Sequence, residues 1–296
     1  MSAAPILAPT PVRFARILFA TDFSACSEHA LAYAAAIARA YSSHVYLVHV
    51  LDSDAQQRES DYGPRLIDTD RWEAERQLRR LASSNALDRV EHSTLSKAGR
   101  LWEVLDAIVR SHDVDLIVVG THGRGGLGKL FMGSSAEEIL RHARCPVMTI
   151  GPHAPVAPLE FTVRRILFAT AYHTGSLHAL TYAHSLSDQQ RAELILFHAL
   201  RIDDFSSVSA DSMLAQAKEK LTRLVHERLQ SRITHLVQAC ASPAAAIVHV
   251  AQDQSADLII LGAHVPRSTA LATHLPWSTA HEVICKARCP VLTVSG

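Results

Sequence analysis

Short apolar runs alternate with stretches of helical periodicity along the whole chain. In the first half, such runs predict strands at 16–21, 44–51, 115–120 and 146–150, with a weaker one at 90–97. Between them, apolar residues at helical spacing predict helices at 25–40, about 69–86, 100–112 and 134–143. Strands that alternate with helices predict right-handed βαβ crossovers and a parallel sheet.

The second half of the chain repeats the first. RILFAT at 16–21 recurs at 165–170, and ARCPV at 143–147 recurs at 287–291. The segment His29-Ala-Leu-x-Tyr33 recurs 149 positions later, beginning at 178. Strands are predicted near 164–169, 193–199, 233–239, 257–262 and 290–294. The chain is therefore predicted to be a tandem duplication.

The predicted fold class is α/β, with two tandem flavodoxin-like (Rossmann-like) domains. Each is expected to hold a five-stranded parallel sheet covered by helices on both faces. A proline-bearing stretch without periodicity separates the copies. The predicted divisions are a disordered leader at 1–12, domains at 13–151 and 163–296, and a linker at 152–162.

The composition indicates which binding partners and which cellular compartment to expect. The chain has 296 residues, with 29 basic side chains against 29 acidic ones, so it lacks the basic surface expected of a nucleic-acid binder. No apolar run approaches the roughly 18–20 residues that would span a membrane. Five cysteines, an odd number without a CxxC pair, favour free thiols and a reducing cytoplasm.

Ligands of doubly wound sheets bind beyond the carboxyl ends of the strands, where the strand order reverses. The loop after the fourth strand, GTHGRGGLGKLFMGSS at 120–135, contains GxxxxGK, most of a Walker A motif. That motif needs Ser or Thr after its lysine to hold Mg²⁺, and Leu130 stands there. The helix is instead expected to begin at Ser134-x-x-Glu137, which reads as a capping box.

A second pattern in the same loop is G-x2-G-x9-G-S, formed by Gly120, Gly123, Gly133 and Ser134. Gly120 would let a ligand lie on the backbone, and Gly123 would allow the following turn. Gly133 and Ser134 stand at a helix N-terminus, where N–H groups favour phosphate oxygens, and Ser134 or Ser135 could add a hydroxyl. The alternative is an ordinary loop in which Ser134 only caps the helix.

The first half resembles the ATP-binding members of the universal stress protein family. The resemblance is carried by ILFATDFS (17–24), LVHVLD (47–52) and GTHGRGGLGKLFMGSSAEEILRHARCPVMTI (120–150). It implies ATP or a related adenine nucleotide as the ligand, with Mg²⁺ or Mn²⁺. It also implies that Asp22 binds the nucleoside, that the backbone of Val50 meets the adenine edge, and that Ala20 and Thr21 line the pocket.

The second half resembles the same family through RILFAT, FHAL and KARCPVLTV but departs from the site pattern. Asp22 corresponds to Ala171, Gly123 to Val265 and Gly133 to Trp277, whereas Gly120 is retained as Gly262. Bulky side chains at two of these positions would obstruct phosphates. The second site is therefore expected to be degenerate, with this domain serving mainly as a partner for the first.

The resemblance implies a stress-response regulator with no catalytic residues and at most weak ATP hydrolysis. It also implies a homodimer, with the two domains of a chain paired through their last strands.

Two alternatives stay open: a slow ATPase or nucleotide switch, and a scaffold whose second domain binds a different small ligand. The spacing of His281, Cys285 and Cys289 could suit a metal site, but buried structural cysteines are the preferred interpretation.

Overall fold

The chain divides into two compact units, one at 13–161 and the other at 162–296 together with the residues up to Val12. The computed structural model describes residues 11–52, 65–121, 132–202, 210–224, 232–263 and 276–295. Each unit contains one copy of the sequence repeat.

The first domain alternates strands and helices. Its strands are β1 (Arg16–Ala20), β2 (His44–Asp52), β3 (Glu91–Gly99), β4 (Leu116–Gly120) and β5 (Val147–Ile150). Its α-helices are α1 (Ala25–Tyr41), α2 (Arg65–Ala82), α3 (Leu101–Ser111) and α4 (Ser134–His142). A short 3₁₀ helix, Asn85–Leu87, lies between α2 and β3.

The sheet of the first domain is parallel, with strand order β3-β2-β1-β4-β5. The chain moves outward from β1 to β3 and then crosses back to β4. Right-handed crossovers therefore place α1 and α2 on one face and α3 and α4 on the other. On the first face Glu28 and Arg80 form an ion pair at 3.8 Å, and on the second the rings of Trp102 and His142 stack at 5.7 Å.

Apolar side chains of the strands form the core beneath these helices. Ile17, Leu18 and Phe19 of β1 are fully buried, as expected of a central strand covered on both faces. Helix α1 begins where the Ser24 hydroxyl accepts the N–H of Ser27, and an alanine-rich face packs it closely on the sheet. These interactions fix the start of α1 directly behind the carboxyl end of β1.

The second domain repeats this architecture, with parallel strand order β8-β7-β6-β9-β10. Its strands are β6 (Arg165–Ala169), β7 (Glu193–Arg201), β8 (Ile233–Cys240), β9 (Leu258–Ala263) and β10 (Val291–Ser295). Its helices are α5 (Thr174–Gln190), α6 (Ala210–Thr222), α7 (Pro243–Asp253) and α8 (Pro276–Lys286). Two α/β domains with parallel sheets are thus confirmed.

The predicted elements agree with the structure in type and order. The largest difference is at α2, expected at about 69–86 but observed at Arg65–Ala82. Helix α2 ends early because the Ser84 N–H donates to the Leu81 carbonyl oxygen at 3.0 Å, an i→i−3 bond in place of the α-helical one, and a 3₁₀ turn follows. In the described part of the chain, no helix combines the length and apolarity needed to cross a membrane.

Candidate functional site

The loop after β1 is held by contacts of its own Thr21, of Ser27 in α1 and of His49 in β2. The Thr21 hydroxyl accepts the N–H of Phe23 at 2.9 Å and lies 3.0 Å from the Ser27 hydroxyl. Nδ1 of His49 is 2.7 Å from the Thr21 carbonyl oxygen, and since a carbonyl only accepts, Nδ1 carries the proton. The His49 ring packs on Phe23 with their centroids 4.4 Å apart. These contacts explain how Phe23 keeps a φ of 61°.

Asp22 lies half-buried in this loop, between β1 and α1. Its Oδ1 accepts the N–H of Ser24 at 3.0 Å, which makes an Asx turn that leads into the helix cap. The carboxylate is thus fixed at the carboxyl end of the sheet. Ala20 and Thr21 are buried beside it, and the Thr21 hydroxyl is used within the loop.

Val50 lies on β2 beyond the end of its pairing with β1. The last residues paired in register are Ala20 and Val48, and the Val48 carbonyl accepts the N–H of Thr21 at 2.9 Å. Because strand residues alternate in direction, Val50 directs its backbone polar groups to the same side as Val48, past the end of β1. The geometry is therefore suited to a ligand that meets the backbone of Val50.

Gly120, at the end of β4, faces the first turn of α1. A Cβ built there would lie 2.9 Å from the Cys26 carbonyl oxygen and 3.1 Å from the Ser27 nitrogen. The missing side chain therefore lets α1 approach β4. The sequence predicts that Gly120 lets a ligand lie on the backbone. Packing against α1 explains the glycine without a ligand.

The N-cap of helix α4 lies one residue earlier than predicted. Gly133 is the N-cap residue, without a side-chain cap, and Ser134 is the first helical residue. The predicted capping box is therefore wrong. The reason is that the Gly133 N–H donates to the Thr121 carbonyl at 2.7 Å, which fixes the helix start, while Glu137 pairs with Arg141 at 2.6 Å.

That bond from Gly133 brings the start of α4 back beside the end of β4. Ser134 and Ser135 are exposed there, in the first turn of a nine-residue helix. The first N–H groups of a helix and its macrodipole favour an anion at this position. Gly123, together with the Lys129 and Leu130 of the Walker-like fragment, lies outside the described residues.

The structure thus brings most of the predicted site residues to one edge of the sheet. Strands β1 and β4 are neighbours, so the loop with Asp22 adjoins the end of β4 and the N-terminus of α4. Strand order reverses between these two strands, which is where doubly wound sheets bind ligands. The Asp22 carboxylate and the N-terminus of α4 therefore lie at the same edge of the sheet.

The second domain keeps the loop but changes its chemistry. Tyr172 has the same φ of 61°, its N–H donates to the Thr170 hydroxyl at 3.0 Å, and its ring lies 4.4 Å from that of His198. The residue before it is Ala171, so the carboxylate of Asp22 has no counterpart there. The loop geometry is thus independent of that carboxylate.

Helix α6 covers the loop in the second domain. The Tyr172 hydroxyl donates to the Ala217 carbonyl at 3.1 Å, and the Lys220 ammonium lies 4.2 Å from the ring centroid. Burial raises the pKa of Tyr172 to about 12. Burial, reinforced by Lys220, lowers the pKa of His198. This edge of the second domain therefore differs in charge from that of the first.

The cysteines considered as metal ligands are buried side chains. Cys285 is 1% exposed, and Cys289 is 5% exposed and lies beyond the end of α8. Within the described ranges, no group of three His, Cys, Asp or Glu side chains could hold a metal ion. The interpretation of these cysteines as core residues agrees with their burial.

Two supporting residues were not identified from the sequence. His49 holds the Thr21 carbonyl and Phe23, and Thr121 holds the start of α4. The recurrence of His49 as His198 within the repeated second strand was a usable signal. Thr121 gave none, because its contribution comes from the backbone carbonyl.

Both halves of the chain match one protein family. Residues 13–151 and 162–295 each match the universal stress protein family. A universal stress protein of Mycobacterium tuberculosis is 29% identical over 197 residues, which cover 62% of each chain. The present chain thus spans about three fifths of the length of that relative. A universal stress protein of Thermus aquaticus is 32% identical over 140 residues, 46% of this chain and 98% of its own.

The fold is also that of a solved structure. A universal stress protein from Archaeoglobus fulgidus superposes with a TM-score of 0.69 at 18% identity, covering 96% of this chain and 99% of its own. At that identity the likeness shows the fold alone. The family match covers most of the sequence and both repeats. The chain therefore belongs to the universal stress protein family, with one family domain in each half.

Proposed function

We propose that the first domain binds ATP or a related adenine nucleotide and that the protein acts as a stress-response regulator with little or no catalysis. One observation carries the proposal. The 2.7 Å bond from the Gly133 N–H to the Thr121 carbonyl sets the N-terminus of α4 at the point where strand order reverses. An anion-binding helix start at that position suits the phosphates of a nucleotide.

The phosphates would lie against the first turn of α4. The N–H groups of this turn supply donors, and the exposed hydroxyls of Ser134 and Ser135 supply more. Gly123 would let the preceding loop approach the phosphates closely. A Mg²⁺ or Mn²⁺ ion, when bound, would neutralise part of the phosphate charge and would take oxygen ligands.

The nucleoside would lie toward β1 and β2. Asp22 is an acceptor for hydroxyl or amino groups, and its charge repels phosphate oxygens. The backbone of Val50 points past the end of β1, where the edge of a base could meet it. Asp22 and the start of α4 thus favour opposite ends of the ligand, which sets the direction in which a nucleotide would bind.

The second domain would not bind a nucleotide in this way. Ala171 offers no side-chain acceptor, and Val265 would replace the glycine that permits close approach. Dimerisation, with the two domains of each chain paired, stays a prediction of the family resemblance. The slow-ATPase alternative differs in one measurable respect, which is phosphate release during prolonged incubation with ATP.

Calorimetric titration of ATP and AMP into matched variants tests the proposal. Gly123→Val gives the first domain the residue of the second, and we expect ATP affinity to fall more than about tenfold through lost close approach. Val265→Gly, the reciprocal change, should leave affinity unchanged. Failure of the wild type to bind either nucleotide would refute the proposal, and equal binding by Gly123→Val would refute the phosphate site.

A further inference from the structure

Side chains of helix α1 form hydrogen bonds with backbone carbonyl groups of the linker. The Pro155 carbonyl oxygen accepts two hydrogen bonds, from Nε2 of His29 and from the Tyr33 hydroxyl, both at 2.8 Å. Farther along, Nε of Arg39 donates to the Leu159 carbonyl at 2.9 Å. An extended proline-containing segment has no internal hydrogen bonds, so such donors satisfy its carbonyls. This arrangement is called here the carbonyl clamp.

Helix α5 repeats the donors of the carbonyl clamp. His178 and Tyr182 occupy the positions of His29 and Tyr33, and both helices have 17 residues. Ser185 and Gln189 continue the series at the i+7 and i+11 positions, which places all four side chains on one stripe of the helix. His178 is exposed and Tyr182 half-buried. The stripe is polar, and it is suited to hold a backbone lying along the helix.

The C-terminal part of this stripe already binds the backbone of one residue, Val12. The Val12 N–H donates to the Ser185 hydroxyl at 2.7 Å. Nε2 of Gln189 donates to the Val12 carbonyl at 3.0 Å and to the Ser185 hydroxyl at 2.8 Å. Val12 groups with the second domain by its contacts. The chain that precedes β1 therefore approaches α5 at the end of the stripe.

The residues before Val12 repeat the clamped part of the linker. Ala154-Pro155-Val156-Ala157-Pro158 compares with Ala4-Pro5-Ile6-Leu7-Ala8-Pro9, with one residue inserted. We propose that residues 4–9 bind along α5, with the Pro5 carbonyl held by His178 and Tyr182 as the Pro155 carbonyl is held by His29 and Tyr33. The proline-containing segments before the first and second domains would then be held in the same way, the former by α5 and the latter by α1.

Length and surface both agree with this occupant. His178 and Gln189 are 11 positions apart, a rise of about 16 Å along the helix, and Pro5 and Val12 are seven positions apart, which can span about 22 Å when extended. Leu177 beside the stripe is 50% exposed, whereas the corresponding Glu28 of α1 pairs with Arg80. Ile6 and Leu7, at the inserted position, would cover this apolar side chain.

Photocrosslinking of the full chain tests the inference. With p-benzoylphenylalanine in place of Ile6, irradiation should join position 6 to the tryptic peptide 166–191, which contains α5. The double variant His178→Ala/Tyr182→Phe should lower the yield about fivefold or more, because it removes two hydrogen bonds. The matched control places the probe at Val156, from which crosslinks to peptide 17–39 should persist in that variant and fall in His29→Ala/Tyr33→Phe.

Mixing isotopically light and heavy protein identifies the chain that supplies residues 4–9. Crosslinks within one chain support the inference, and crosslinks between chains would assign the stripe to the leader of a second copy and overturn it. Crosslinks from position 6 to other peptides would overturn it as well. An unchanged yield in His178→Ala/Tyr182→Phe, with the Val156 control intact, would show that these side chains are not the anchor.

Discussion

At the carboxyl edge of its sheet the first domain has Asp22, and the second has Ala171 inside an almost identical loop. Both loops hold an aromatic residue at a φ of 61°, packed on a histidine of the second strand at 4.4 Å. Because the loop persists without the carboxylate, its shape does not depend on Asp22. A duplicated chain thus separates residues that maintain the fold from residues retained in one copy alone.

Gly120, at the end of β4, and Gly262, one residue before the end of β9, are glycines in both domains for a packing reason. A Cβ on Gly120 would lie 2.9 Å from the Cys26 carbonyl oxygen, and one on Gly262 would lie 2.5 Å from the backbone of Gly175. Each glycine lets the first helix of its domain approach the sheet. The retention of Gly262 therefore follows from packing, and it does not indicate a second ligand site.

The largest expected effect comes from adding that Cβ. Gly262→Ala should lower the free energy of unfolding by about 3 kcal/mol and Gly120→Ala by about 2.5 kcal/mol, because backbone atoms must move to relieve the overlap. Urea unfolding of both variants measures these losses. If Gly120→Ala weakens nucleotide binding but keeps the stability of the wild type, Gly120 is a ligand residue and the packing explanation fails.

The next largest effect is expected from removing the Asp22 carboxylate, which is the main difference between the two loops. Asp22→Ala should weaken ATP binding by about 2 kcal/mol, roughly thirtyfold, because a charged hydrogen-bond acceptor is lost. The loss should come without a large change in loop structure, since Ala171 occupies the same position in the second domain. Calorimetry gives the affinity, and near-UV circular dichroism checks the fold.

The reciprocal variant Ala171→Asp is the control for Asp22→Ala. It restores the carboxylate but not the glycine at position 265, so it should not create a second site. A second ATP bound by Ala171→Asp would show that one carboxylate decides binding and that the phosphate loop contributes little.

A smaller effect should be alike in both domains. Burial, reinforced by Asp115 and Asp257, raises the pKa of the Cys145 and Cys289 thiols from 9.0 to about 12. Between these values the unfolded chain ionises its thiols while the folded chain keeps them protonated, so stability falls as pH rises above about 9. At pH 10 the loss should be about 1.4 kcal/mol per thiol.

Urea unfolding at pH 8 and pH 10 measures this dependence. Cys145→Ala and Cys289→Ala should each flatten it by a similar amount, because burial raises the pKa of both thiols to about 12. A pH dependence that neither substitution reduces would show that other groups cause it.

The fold could be predicted from the sequence because strand and helix periodicities are strong and occur twice. RILFAT predicted β1 and β6 to within a residue, and the alanine-rich stretch after it predicted α1. The edge strand β3 was the weaker prediction, because Glu91–Gly99 is a mainly polar run in which no residue is fully buried. An edge strand needs less apolar sequence than a central one, so its signal is weaker.

The candidate site was only partly predictable, because some of its features depend on tertiary contacts. The position of Asp22 behind β1 followed from the order of the elements. The N-cap of α4 could not be predicted in this way. The hydrogen bond from the Gly133 N–H to the Thr121 carbonyl makes Gly133 the N-cap residue in place of Ser134. Packing between Gly120 and Cys26 was equally hidden, since it joins positions far apart in the sequence.

The number of ATP molecules bound per chain tests the central claim most directly. Isothermal titration of ATP, with Mg²⁺ present, into the intact protein should give a stoichiometry of one, because the first domain alone combines the carboxylate with the glycine loop. A stoichiometry of two would contradict the assignment of the second domain as degenerate, and the absence of binding would contradict the nucleotide site itself.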